Sequence, residues 1–169
     1  MSALGIFHTV LSVFPILFGV WAFLRDGEIA PDTRVGRLYL LSMVASIVTS
    51  FGLSRAGGFN PGHALGILAL LLMALSVLAP RMGRLGQAVP YVRTLAMSAS
   101  FLVLMVPGII ETLTRLPAGQ PLATGPESPA IQGSLAVLLG LFLAGTAYQV
   151  MRLRAGSPRL ASTVARRGP

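Results

Sequence analysis

The chain is 169 residues long, 54% hydrophobic and only 11% charged, and its mean hydropathy of +0.77 excludes an ordinary water-soluble domain. Cysteine is absent, which removes disulfides, iron–sulfur clusters and thiolate zinc sites. The net charge of +8 comes from arginine, with no lysine, and those arginines sit in loops and the tail, which points to lipid headgroups and excludes nucleic acid as a partner.

About 20 apolar residues cross the hydrocarbon core as a helix. Five stretches approach that length: about Leu4–Leu24, Arg37–Ser54, Gly62–Ala79, Thr94–Thr112 and Ile131–Met151. Backbone groups in lipid must be satisfied internally, so such spans are helices or closed-barrel strands. Runs such as Ala64–Ala79 lack the alternation of barrel strands. The expected fold is all-α: an integral membrane bundle of five transmembrane helices over residues 1–151, then a basic tail, 152–169.

The first stretch has no basic residues before it and Arg25 behind it, and is long for a signal peptide's apolar core; it reads as a retained helix. It holds His8 near its start and Pro15 in its middle, where a kink is expected. The loop Arg25–Gly36, with Asp26, Glu28, Pro31 and Asp32, reads as a solvated connection. After the second stretch comes a tight turn from Arg55 to His63, in which Asn60 is the expected N-cap and Pro61 the first residue of the third helix. Pro80–Arg93 is a Gly-rich connection. The fourth stretch contains Pro107 and ends near Glu111, and the loop Arg115–Pro129, with four prolines, is expected to be partly irregular. Beyond Met151 the chain is basic, contains Pro and Ser, and is expected to lose order after its first turn.

Eleven arginines fall in the first loop, the third loop and the tail: Arg25, Arg34, Arg37, Arg81, Arg84, Arg93, Arg152, Arg154, Arg159, Arg166 and Arg167. Only Arg55 and Arg115 flank the other side. The positive-inside rule then places the N-terminus outside and the C-terminus in the cytoplasm of a bacterial inner membrane. The all-arginine basic set, with abundant Ala, Gly, Leu and Val, fits a GC-rich bacterial genome. Trp21, Tyr39, Tyr91 and Tyr148 read as interfacial anchors on the cytoplasmic side.

Small residues mark close helix approach. They recur as Gly5, Ser12 and Gly19 in the first span and Ser42, Ser46, Thr49 and Gly52 in the second. In the fifth they are Gly133, Ala136, Gly140, Ala144 and Ala147. These faces are expected to point into the bundle, with Gly140 and Ala144 also able to receive a partner helix. An internal duplication competes with simple recurrence of loop arginines: Arg25 and Arg81 are each followed by Arg37 or Arg93, then by Ser42 or Ser98, at equal spacing.

Three ionisable residues lie within spans, near one end of the bundle: His8, His63 and Glu111. Together they could ligate a metal, and the two imidazoles alone could hold a haem b between helices. Against this stands an interfacial role, with Glu111 paired to Arg115 one turn on and His63 bonded to loop carbonyls. Phosphate loops, nucleophile elbows and zinc-protease motifs are missing, so a soluble-style hydrolase is excluded and an enzyme is not expected.

A His in the first span, then Asp32-Thr-Arg34-Val-Gly36-Arg37-Leu-Tyr39-Leu-Leu-Ser-Met43, then Gly-Phe-Asn-Pro-Gly-His63, resembles the bacterial multi-pass membrane proteins called domain of unknown function 2306. The resemblance covers about four of the five helices. Where the family's loop motif commonly begins with His, this chain has Asp32, so a loop His has no counterpart. The paired histidines are more distantly similar to small b-type cytochromes. The family carries no established activity, so three roles follow: a haem- or metal-binding module using His8 and His63, a non-catalytic assembly subunit, or a small transporter using Glu111.

Overall fold

The computed structural model describes residues 3–52 and 60–165, with side chains described through Gly156. The described residues form five α-helices, α1 (Ala3–Asp26), α2 (Arg34–Phe51), α3 (Pro61–Leu78), α4 (Val89–Arg115) and α5 (Pro129–Ala165), with two short 3-10 segments between α3 and α4. The fold is all-α. Four helices, all but α2, are long and apolar enough to cross a membrane. At about 1.5 Å per residue the eighteen residues of α2 reach ~27 Å. Its first turn carries Arg34 and Arg37, and Ser42, Ser46, Thr49 and Ser50 lower its apolarity further. The part of the expected second span beyond Gly52, and the loop residue Arg55, lie outside the described residues, as do Arg166 and Arg167 of the tail.

Helix starts follow local chemistry. The Thr33 hydroxyl accepts from the Gly36 amide at 3.0 Å and opens α2. Asn60 caps α3 with Pro61 in the first turn, as the sequence predicts. Pro15 and Pro107 both lie inside continuous helices. Beyond Met151, α5 continues to Ala165 where an irregular tail was expected.

The helices pack antiparallel as α1 on α2, α3 on α4 and α5 on α4, with lighter α2–α3 and α1–α4 contact. One end of the bundle thus holds the starts of α1, α3 and α5; the other holds the α1–α2 and α3–α4 connections. The core lies between α1, α2, α3 and α4, around Ala22, Tyr39, Met43, Met73 and Met97, with Phe23 edge-on to Phe101 at 5.3 Å. Gly19 is where α1 meets α4: a Cβ there would lie 2.4 Å from the Phe101 ring. Gly36 is tighter, because the Ala30 carbonyl oxygen would be 1.9 Å from its Cβ.

Three expectations need correction. Tyr39 is not an interfacial anchor: it is fully buried, and its hydroxyl shares a 2.8 Å hydrogen bond with Ser100. The phenol's one polar atom is satisfied inside, so the ring fills the core. The first loop is not simply solvated, since Ile29 and Pro31 are buried and Ile29 joins the core. The small residues of α5 do not face inward. Gly133, Ala136, Gly140, Ala144 and Ala147 are all exposed, and a Cβ on Gly133 or Gly140 would meet nothing within 4 Å.

Candidate functional site

His8 stands at the α1–α2 seam, two helices whose small and hydroxylated faces come together. Thr49 gives its one hydroxyl proton to the Ala45 or Ser46 carbonyl, at 3.0 and 2.9 Å, so its oxygen accepts from His8 Nδ1 at 2.9 Å. That places a proton on Nδ1 and leaves the Nε2 lone pair facing Ser12 Oγ at 3.3 Å. Ser12 in turn donates to the His8 carbonyl at 2.8 Å and shares a 2.6 Å hydrogen bond with the buried Ser46. The result is a short imidazole–hydroxyl chain, His8–Ser12–Ser46, anchored by Thr49.

His63 has a different occupation. Its Nδ1 accepts from the Asn60 amide at 3.2 Å while its own amide donates to Asn60 Oδ1 at 3.1 Å, a reciprocal capping box at the start of α3. Its ring leans on Phe51, centroid to centroid 5.0 Å. An Nδ1 that accepts leaves the neutral ring's proton on Nε2. Haem ligation through His63 Nε2 would need the ring proton on Nδ1 and would therefore give up the capping bond from the Asn60 amide.

Glu111 forms an ion pair with Arg115, one turn on, with both side chains more than half exposed. His8, His63 and Glu111 therefore share one end of the bundle without forming a ligand set. Among the described residues no three His, Cys, Asp or Glu side chains gather to hold a metal.

The second polar centre, which the sequence reading missed, lies at the opposite end. Gln149 of α5 is 4% exposed; its amide nitrogen donates to the Gly27 carbonyl and its oxygen accepts from Ser98, both at 2.9 Å. The Thr94 hydroxyl donates to Glu28 Oε2 at 2.5 Å, and Arg152 donates to the Asp26 carbonyl. Asp32 pairs with Arg93, whose carbonyl accepts from buried Ser76 at 3.0 Å. Gly27, Glu28, Thr94, Gln149, Arg152 and Leu153 line a cleft of about 180 Å³. The available signal was the polar run Asp26–Glu28 set against a glutamine inside an otherwise apolar span, a pairing that joins residues 122 positions apart.

Five helices, four of them apolar and of spanning length, define the class: a candidate multi-pass membrane protein of all-α architecture. Comparison with protein-family models, curated proteins and solved structures gives no match.

Proposed function

We propose that the chain is a non-catalytic assembly subunit of the bacterial plasma membrane, crossing the bilayer five times with its N-terminus outside and C-terminus cytoplasmic, whose α5 packs against α5 of a second copy. The observation that carries this is the open small-residue face of α5. Glycines of α1, α2 and α3 are used inside the chain: added Cβ atoms at Gly19, Gly36 and Gly66 would meet neighbours at 2.4, 1.9 and 3.1 Å. Gly133, Gly140 and Gly145 would meet nothing within 4 Å. Helix association in lipid runs on van der Waals packing, and Gly or Ala facing acyl chains gives up contact area that Leu would supply. A small-xxx-small face gains that area by letting another backbone approach, and it is self-complementary, which suits a two-fold pair.

The motif by which the chain resembles domain of unknown function 2306 supports a structural rather than a catalytic role. Within it Thr33 caps α2, Gly36 admits the Ala30 carbonyl, and Tyr39 fills the core. We place the chain with that group on these residues. The absence of cysteine gives a clean test. Gly140→Cys should form a disulfide-linked dimer when native membranes are oxidised. Gly140→Leu with Ala144→Leu should reduce the native mass in mild detergent to that of one chain without lowering helicity. No cross-link at Gly140 or Ala144, and an unchanged native mass for the bulky pair, would overturn the reading.

A further inference from the structure

The cleft at the arginine-rich end carries two opposite charges that are not paired with each other. Glu28 has one oxygen bonded to Thr94, while Oε1 accepts from no described residue. Arg152 gives one N–H to the Asp26 carbonyl, and its guanidinium has four further donors. Among the described residues neither Glu28 nor Arg152 is in an ion pair. Asp26, whose charge also interacts with Arg152, is held on both oxygens by Arg25, at 2.9 and 2.8 Å. Gly27, at φ +75°, brings the guanidinium in close: a Cβ there would lie 2.6 Å from Arg152 Nη1. The buried Gln149 pins the Gly27 carbonyl and so fixes the loop that presents Glu28.

Depth adds a second constraint. The apolar segment of α5 runs Pro129–Gly156, 28 residues or about 42 Å, which matches a bilayer including its headgroup layers. Arg152 lies in the last turns of that segment, at headgroup level. Glu28 is part-buried and Arg152 stands exposed at the mouth of the same cleft, and a ligand with both complementary charges engages both. At about 30 Å³ per water molecule, 180 Å³ is room for roughly six waters, the scale of a small polar headgroup.

We propose that this cleft binds a phosphoethanolamine-type zwitterion, its phosphate on the Arg152 fork and its primary ammonium on Glu28. The chemistry is shared by an ethanolamine phospholipid headgroup and by free O-phosphoethanolamine. This site is independent of the α5 pairing face.

The test is calorimetric titration of the full chain in a neutral maltoside detergent. The probes are short-chain phosphatidylethanolamine, short-chain phosphatidylglycerol and O-phosphoethanolamine. The ethanolamine lipid should bind about tenfold or more tighter than the glycerol lipid, the scale of one charge-assisted hydrogen bond. Glu28→Gln should abolish that preference, and Arg152→Gln should weaken both lipids. Comparable binding of O-phosphoethanolamine assigns the site to the free zwitterion; binding of the lipid alone assigns it to the bilayer. Equal affinity of the wild-type chain for the two lipids overturns the proposal, and so does a preference that survives Glu28→Gln. The wild-type preference decides the matter even if a variant fails to fold.

Discussion

Glycine does two opposite jobs in this chain, and the difference is measurable residue by residue. At Gly36 the neighbour is backbone, the Ala30 carbonyl, which is itself fixed by accepting from the Thr33 amide and hydroxyl at 3.1 and 2.9 Å. No side-chain rotation relieves a methyl placed there. Gly36→Ala should therefore destabilise by about 3 kcal/mol or more, at or beyond the upper end of overpacking effects. Gly140→Ala, whose Cβ meets nothing in the chain, should stay within about 0.5 kcal/mol. Thermal unfolding of the two variants in detergent, followed by circular dichroism, makes the comparison. A Gly36→Ala protein that melts with the wild type would mean that the first loop does not fold back onto α2.

At the scale of elements, the start of α3 separates a cap from a ligand. In a capping box a glutamine at the third helical position can take over the role of His63, accepting from the Asn60 amide. His63→Gln should leave the melting temperature close to wild type, whereas His63→Ala should lose about 1 kcal/mol, a typical cap contribution. If both variants lose equally, the imidazole is needed for something other than the cap. Such local devices were readable in advance: Asn60 and Pro61 stand beside the residues they act on, and an apolar run declares its own helix. What was not readable depends on distant partners. Tyr39 looked like an anchor because its partner Ser100 is 61 positions away. The charges of the first loop hid the buried Ile29 and the Gly27 carbonyl that Gln149 satisfies. Small residues announce close packing but not which side they serve, so the inward expectation held for Gly19 and Ser46 and failed for Gly140. The histidines were located correctly at one end, but the tautomers set by Thr49 and Asn60 arise only from the folded contacts.

For the whole molecule, the two ends differ in charge as well as in chemistry. Arg25, Arg34, Arg37, Arg81, Arg84 and Arg93 lie at the end with the Glu28 cleft, and Arg115 at the end with His8 and His63. In the proposed orientation, with the arginine-rich end inside, the cleft faces the cytoplasm. Of the five proposed crossings, α2 is the one outside the four long apolar helices. Its length of ~27 Å falls slightly short of a ~30 Å hydrocarbon core, a mismatch that snorkelling of Arg34 and Arg37 at one end can absorb. It also packs along α1 over its length, from Tyr39 near Gly19 to Gly52 near Leu4, and the proposed five-span arrangement has α2 cross beside α1. Single cysteines in the cysteine-free chain resolve the arrangement with a membrane-impermeant maleimide. Ala64→Cys and Gln120→Cys, both at exposed positions of the His63 end, should label in cells with only the outer membrane opened. Arg34→Cys and Gln87→Cys, exposed at the arginine-rich end, should label only after the plasma membrane is permeabilised. Labelling of Arg34→Cys and Ala64→Cys from the same side would show that α2 does not cross. Reversal of all four would keep the bundle and invert it, placing the Glu28 cleft in the outer leaflet.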